Sequence, residues 1–516
     1  MPERLEDPVA TLMADVPRGV TTRHLREQTL PQSRWMDPTR IVASEALRYD
    51  PDNPGGKILV GALGPHLIGI EDNRHVLTVA GSRAGKSVTI IGNLLFYRGS
   101  VLCLDPKGEL ASITAARRAA LGQKVFVLDP FEVVKGKAAG FRAAYNPLAA
   151  LRLGSRSVIE DAVQVADALV VRTGQEKDPH WNESAGNFLI GLILYVALCD
   201  DLPEAERHLG SVRALVNQAL SLIAGTKTYA LPKRILAAAD RLAAAGHEDE
   251  AAAITGSIRG FYEKGHDELA SVLSTVHRHT QFLDFRAMKG VLTGHSFDLG
   301  DLKTAPGGVS VYLCLPATRM EMCNRWLRLF INQLLDAMER EETRPAVDVL
   351  VCLDEFPVLG FMSQLQAAAG QIASFGVKLW VVLQDWGQGK ALYGERFESF
   401  AANAGVFQAF GNVDVTTTEY ISKRLDKTVV EVVRQTEVSP DQREKGVGGL
   451  SRSAELHDLL TPGEVSRLFA RSDPQQRQLI LWAGKFPMIL QRVAYYESNG
   501  PLYSKHGGDL YFDRLL

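Results

Sequence analysis

Val76-Leu-Thr-Val-Ala80-Gly-Ser-Arg-Ala-Gly-Lys-Ser87-Val-Thr-Ile-Ile91 is the stretch on which the fold turns. A short β-branched apolar run predicts a buried strand, and a helical pattern from Val88 to Tyr97 follows the glycine-bearing loop between them. Strand, loop and helix in that order are the context in which G-x-x-x-x-G-K-[ST] binds phosphates. Gly81 and Gly85 are expected to give the loop backbone angles that turn successive N–H groups inward. Ser82, Arg83 and Ala84 complete the cradle, and the helix starting near Lys86 adds its positive dipole end. Lys86 is the mobile cation for the β and γ phosphates, and Ser87 offers a hydroxyl to Mg²⁺. Position 80 departs from the pattern, with Ala80 in place of glycine, a mild change in a residue that closes a strand.

A second segment supplies what the first lacks. In Val349-Leu-Val-Cys-Leu-Asp-Glu-Phe356 the apolar run predicts a buried strand that delivers Asp354 to the carboxyl edge of a sheet, where open α/β folds bind ligands. Asp354 is the expected partner of Ser87 in holding Mg²⁺, and Glu355 is the expected base or orienter of an attacking water. Leu379-Trp-Val-Val-Leu383 predicts a further strand delivering Gln384 to the same edge, to sense the γ phosphate or hold the attacking water, or simply to end a strand. Lys86, Glu355 and Gln384 are thus the catalytic candidates, with ATP and Mg²⁺ as cofactors. The bland alternative is a glycine turn and an acidic strand end that merely coincide.

Around these segments the pattern is that of an α/β P-loop NTPase with a mostly parallel sheet. Val101–Asp105, the helical run 109–121 and Val125–Asp129 alternate as βαβ units. Asp105 and Asp129 end their strands, and each reads equally as a nucleotide contact or as a solvated strand end before proline. Between 151 and 295 the strand signal gives way to apolar residues at helical spacing (157–171, 181–198, 211–224, 232–245, 248–262, 267–282), an all-helical domain inserted into the sheet. Strand patterns resume at Val309–Leu315, followed by helices over 319–339 and 361–375 and closing strands at 406–410, 479–482 and 488–492. The domain reading is therefore an extension over 1–55, a discontinuous nucleotide-binding domain over 56–150 and 296–516, and the helical insertion over 151–295. Residues 1 to about 50 read as a loosely packed arm, and 432–455, polar and glycine-rich, as a mobile loop.

Lys and Arg number 57 against 60 Asp and Glu, so a nucleic-acid contact must come from a local patch and not from bulk charge. Three of the five cysteines, Cys103, Cys314 and Cys352, sit in strand runs and no C-x-x-C occurs, which points to reduced thiols in a cytoplasmic protein. The first residues lack the pattern of a signal peptide. The longest apolar run, 188–199, is too short for the roughly 20 residues a bilayer span needs. Most of Trp181, Trp326, Trp380 and Trp386 read as core, and His277-Arg278-His279 as a solvated helix face without metal-ligand spacing.

In order along the chain, the loop 80–87, Leu-Asp-Pro-Lys-Gly-Glu-Leu (104–110), Leu-Asp-Pro-Phe (128–131), Tyr-Asn-Pro-Leu (145–148), Leu-Asp-Glu-Phe-Pro-Val-Leu-Gly (353–360), Gln384 and Tyr393-Gly394 resemble the TraG-like coupling ATPases of type IV secretion, relatives of the FtsK and HerA motors. The resemblance spans about 56–500. It implies a RecA-like motor domain, a helical domain on the substrate side, and nucleotide sites at the subunit boundaries of a homo-oligomer, a hexameric ring. It also implies recruitment of DNA, single- or double-stranded, with its relaxase, or of effector proteins, to a secretion channel. Typical members begin with two membrane-spanning helices; none is expected here, so the chain resembles a soluble variant or the cytoplasmic part of such a protein, and attachment to the cytoplasmic face of the inner membrane would need a partner. Many relatives carry an arginine eleven positions before the glutamine, where this chain has Ala373; Arg424, or an arginine from a neighbour, is a substitute. Three functional readings stand at this point: an ATP-driven coupling protein, a nucleotide-gated recruitment platform with little or no hydrolysis, and a HerA/FtsK-like DNA motor outside secretion.

Overall fold

A computed structural model of the chain describes residues 33–171, 180–435 and 450–506. Its strands are β1 Ile58–Leu63, β2 His66–Ile70, β3 His75–Ala80, β4 Val101–Asp105, β5 Lys124–Leu128, β6 Val309–Cys314, β7 Val349–Leu353, β8 Val377–Leu383, β9 Ala404–Phe410, β10 Lys427–Gln435, β11 Leu450–Asp458, β12 Arg477–Trp482 and β13 Met488–Gln491. The fold is α/β; β3 pairs parallel with β8 and β9, and β4 pairs parallel with β7. Two compact units divide the chain: one runs through Tyr97 and resumes at Trp380, and the other is Arg98–Leu379.

In the first unit the strand order is β2-β1-β13-β12-β9-β3-β8. β3 lies between parallel neighbours, with Val79 opposite Leu383 of β8 and Ala80 opposite Phe410 of β9. Every residue of these three strands is buried, as strands covered on both faces require. The pairs from β9 outward are antiparallel. Residues 41–49 are not a loose arm: Ile41, Leu47 and Tyr49 are buried, and the backbone of 47–49 bonds to β2 through Tyr49 N–H to Leu67 and Gly69 N–H to Leu47. The sequence hides this because a few apolar residues among charges carry no period.

Within 432–455 the structure also departs from the expected loop. β10 and β11 pair antiparallel from Lys427 opposite Asp458 to Gln435 opposite Leu450. Charged residues between the valines of β10 mask its alternation; the segment 436–449 lies outside the described residues.

The second unit carries the parallel order β7-β4-β6-β5. Between β5 and β6 helix follows helix: Val158–Leu169, His180–Leu198, Leu209–Gln218, Ala230–Ala244, Glu248–Tyr262, His266–Thr280 and Arg286–Leu292. The apolar run 188–199 is their core, with Phe188 stacked 3.8 Å from Phe261. The helix expected to reach 224 ends at Gln218 because the chain reverses there: Gly225 takes φ +76° and Ala230 N–H bonds back to Ser221. The helix expected over 361–375 is broken into Ser363–Ala368 and a 3₁₀ turn, Ile372–Phe375, with Gly370 between. All five cysteines are free and buried. Trp326, Trp380 and Trp386 are fully buried as expected. His277-Arg278-His279 is not a solvated face: His279 is buried beside Asn182, His277 bonds to Arg213, and only Arg278 is exposed.

Candidate nucleotide site

The loop leaving β3 shows why its residues are what they are. Gly85 has φ +104° with open space where a Cβ would stand, so its backbone angle demands glycine. Gly81 has no such angle. A Cβ there would lie 2.0 Å from the carbonyl oxygen of Gly411, so glycine is required for space, a correction to the expectation that both glycines serve backbone angle. The other left-handed residue inside the loop, besides Gly85, is Arg83, at φ +56°. Ala80 is accounted for as well: with Ala84 and Phe410 it forms a small buried cluster, which the methyl group helps fill.

Lys86 opens the helix Lys86–Leu94, and its ammonium donates to the carbonyls of Ala80 (2.9 Å) and Gly81 (3.3 Å), so it lies along the floor of the loop. Ser87 is half-buried in the first turn; Ser82 and Arg83 face solvent. Register places Gln384 level with Ala80 on the strand beside it. The Gln384 N–H donates to Gln388 Oε1 at 2.9 Å, and Asp385 caps the following helix through Gln388 N–H. On the other side of β3, Asn412 is buried, its Nδ2 3.5 Å from the Gln384 carbonyl. Loop, Gln384 and Asn412 thus share the carboxyl end of three adjacent strands.

In the second unit, Leu104 opposes Leu353, which sets Asp354 level with Asp105 at the carboxyl ends of β7 and β4. Burial pushes the Asp105 carboxyl up, and the charge of Asp354 adds to this against its backbone hydrogen bonds, leaving it at about 7. Asp354 and Glu355 are half-buried, and the turn after them is held by Arg328, which donates to the carbonyls of Leu359 (2.8 Å) and Phe361 (2.7 Å).

The remaining motifs build turns. Asp105 accepts from Glu109 and Ala111 N–H, closing the turn into the next helix; Asp129 accepts from Val133 and Val134 N–H at 2.9 Å each. Both aspartates are buried, so neither is the solvated strand end that the sequence offered; each closes a turn instead. Asn146 holds Leu148 N–H and reaches the carbonyl of Arg207, and buried Tyr145 packs on Phe330. Ala373 is half-buried in its 3₁₀ turn. Arg424 lies over the rings of Phe407, midway along β9, and Tyr420.

Two residues escaped the sequence reading. Arg492 donates to the Ala84 carbonyl at 2.8 Å, and Gly411 backs the loop at φ +66°. A lone arginine after a strand and a glycine in a turn carry no sequence signal that links them to position 84.

Residues 25–511 match the family model for type IV secretory system conjugative DNA transfer. The chain belongs to this family. It is 27% identical over 454 residues to the conjugal transfer protein TraG of Escherichia coli, covering 83% of this chain and 68% of that one. Against the coupling protein VirD4 of Bartonella quintana it is 25% identical over 478 residues, covering 89% and 70%. Of three further TraG relatives it spans 61% to 62% of the length. Among solved structures, the conjugative coupling protein TrwBdeltaN70 superposes with a TM-score of 0.59 at 14% identity, over 90% of this chain and 93% of the other, which shows the shared RecA-like fold. TrwB has been solved with a non-hydrolysable ATP analogue and with ADP and Mg²⁺. Among the described residues no helix is long and apolar enough to cross a membrane.

Proposed function

We propose that this chain is an ATPase that couples binding and hydrolysis of Mg-ATP to the delivery of DNA–relaxase complexes or effector proteins into a type IV secretion or conjugation channel. The observation that carries the reading is the phosphate loop itself: Gly85 in a left-handed turn, Gly81 fitted against a backbone carbonyl, and Lys86 along the floor. The donor set fits the ligand, with backbone N–H groups and an ammonium for phosphate oxygens and hard oxygen donors for the metal. Gly81 to Ser87 bind the phosphates, Ser87 and Asp354 would hold Mg²⁺, Glu355 takes the proton of the attacking water, and Gln384 orients that water. The nucleotide-bound TrwB structures support ATP and Mg²⁺ as the ligands, and the TraG and VirD4 relatives support the transfer role. On the same reading residues 151–295 form the substrate-side helical domain, the working form is a homo-oligomer, a hexamer on its substrate, and a channel or anchor partner holds it at the cytoplasmic face of the inner membrane.

Ala373 favours a second reading, a nucleotide-gated platform with slow turnover, because no arginine stands at that position to reach a neighbour's γ phosphate. One set of assays separates the two. Lys86→Ala abolishes nucleotide binding, while Glu355→Gln keeps binding and lowers turnover by about a hundredfold or more. DNA-stimulated ATPase that fades with salt marks the motor; equal turnover in wild type and Glu355→Gln removes Glu355 from the chemistry.

A further inference from the structure

Arg492 follows β13, and its guanidinium makes three hydrogen bonds, all to backbone carbonyls: Nη1 to Ala84 at 2.8 Å, Nη2 to Arg471 at 3.2 Å and Nε to Gln476 at 3.3 Å. Its own N–H also donates to Gln476 at 2.8 Å. The guanidinium carbon lies 5.3 Å from the ring centre of Phe410, the buried residue that packs on Ala80 and Ala84. The acid of that turn, Asp473, is bound by Arg477 through two N–H groups of the guanidinium, so the Arg492 fork is given wholly to carbonyls. Two of those carbonyls mark strained backbone. Gln476 has φ +53°, and Ala84 directly follows Arg83 at φ +56°. Non-glycine residues hold such angles only where the surroundings fix them.

The Ala84 carbonyl matters because of what lies across its peptide bond. The Ala84–Gly85 peptide is trans, so its C=O and N–H point in opposite directions. Fixing the oxygen on Arg492 therefore fixes the Gly85 N–H away from Arg492. That N–H belongs to the run of loop donors expected to face phosphate. Within the loop, Ala84 N–H bonds to Gly81 and Gly85 accepts from Thr89 N–H, while the Ala84 carbonyl is taken by Arg492.

We propose that Arg492 is a positioning residue of the phosphate loop, holding the Ala84 carbonyl so that the Gly85 N–H is aimed at bound phosphate before the nucleotide arrives. This rests on the reading of the loop as an ATP site. Arg492 touches no phosphate; it acts through one peptide plane. Because that donor serves the bound nucleotide in ground and transition states alike, its loss weakens binding and leaves the chemical step nearly intact.

The test compares wild type, Arg492→Ala, Arg492→Lys and Lys86→Ala. For Arg492→Ala the KM for Mg-ATP and the Kd for Mg-ADP rise together by about tenfold or more, while kcat stays within about threefold. Millimolar guanidinium hydrochloride restores affinity to Arg492→Ala and does nothing for Lys86→Ala, whereas urea restores neither. Arg492→Lys keeps the charge without the planar fork and remains weak; it carries the measurement if the alanine variant does not fold. Unchanged KM with reduced kcat, the mark of a smaller folded fraction, overturns the proposal, as does full affinity in Arg492→Lys. Amide hydrogen exchange over residues 81–87, read without nucleotide, is faster in Arg492→Ala if the clamp exists and unchanged if it does not. Wild type that binds neither nucleotide overturns the ATP reading and the phosphate role with it, and the exchange measurement then decides the clamp alone.

Discussion

Gly81→Ala is the most exacting perturbation of the loop, because the structure specifies what the added methyl meets. The new Cβ would stand 2.0 Å from the Gly411 carbonyl oxygen and 3.0 Å from its carbon, where real Cβ atoms stay beyond 3.0 Å. Relief needs a shift of at least the difference, about 1 Å, between the start of the loop and the end of β9. The backbone there has little slack. Gly81 N–H bonds to Phe410 at 3.2 Å and Gly411 N–H to Phe469 at 2.7 Å, and a shift of that size breaks one of them. Losing such a bond and leaving its partners buried costs about 2–4 kcal/mol together with the residual overlap. If the loop yields, as its exposed Ser82 and Arg83 suggest, that energy appears as roughly a hundredfold weaker binding of Mg-ATP.

The assay is a titration with a fluorescent ATP analogue beside a thermal melt, with Gly85→Ala as the contrast. At Gly85 a methyl meets nothing within 4 Å, but φ +104° strains any other residue, so the variant loses nucleotide affinity with a smaller change in melting. Gly81→Ala lowers both. Binding within about threefold of wild type together with an unchanged melt in Gly81→Ala would refute the argument from space.

Two further outcomes follow from other parts of the fold. Burial pushes the Asp72 carboxyl up, but hydrogen bonds from Arg74 and from Trp482 Nε1 outweigh it and bring it to about 2. A depressed carboxylate contributes stability that is present above the ordinary aspartate value near 4 and is lost as pH falls through about 2; urea midpoints for wild type and Asp72→Asn therefore converge over that window, and a constant gap contradicts the assignment. Asp129→Ala removes the acceptor for two backbone N–H groups and destabilises its turn by about 2–4 kcal/mol, read as faster proteolysis near 129–142, while nucleotide affinity is retained. Loss of nucleotide affinity in a folded Asp129→Ala protein would restore the nucleotide-contact reading of that residue.

How much of this was legible beforehand differs by element. β3, β4, β7 and β8 are mostly apolar and buried throughout, and such stretches declare themselves because both faces of a parallel strand are buried. The hairpin of β10 and β11 went unread because its faces carry charge, and the packed segment 41–49 because it has no period at all. Cys103 and Cys352, side by side on β4 and β7, looked like core thiols and are.

By itself the sequence determined the fold class and the family and proposed the residue types for phosphate and metal, because strand burial and phosphate chemistry each constrain short contiguous stretches. Tertiary structure alone decided why those residues are needed. Gly81 is glycine because Gly411, far along the chain, sends a carbonyl into the space of its missing Cβ; Ala80 is tolerated because Phe410 and Ala84 pack on its methyl. Asp105 and Asp129 close turns with backbone partners that only the folded chain brings into place, and Arg492 reaches Ala84 through a strand order no local pattern encodes. Steric fit and hydrogen-bond direction act across space, so they become readable only when segments distant in sequence lie side by side.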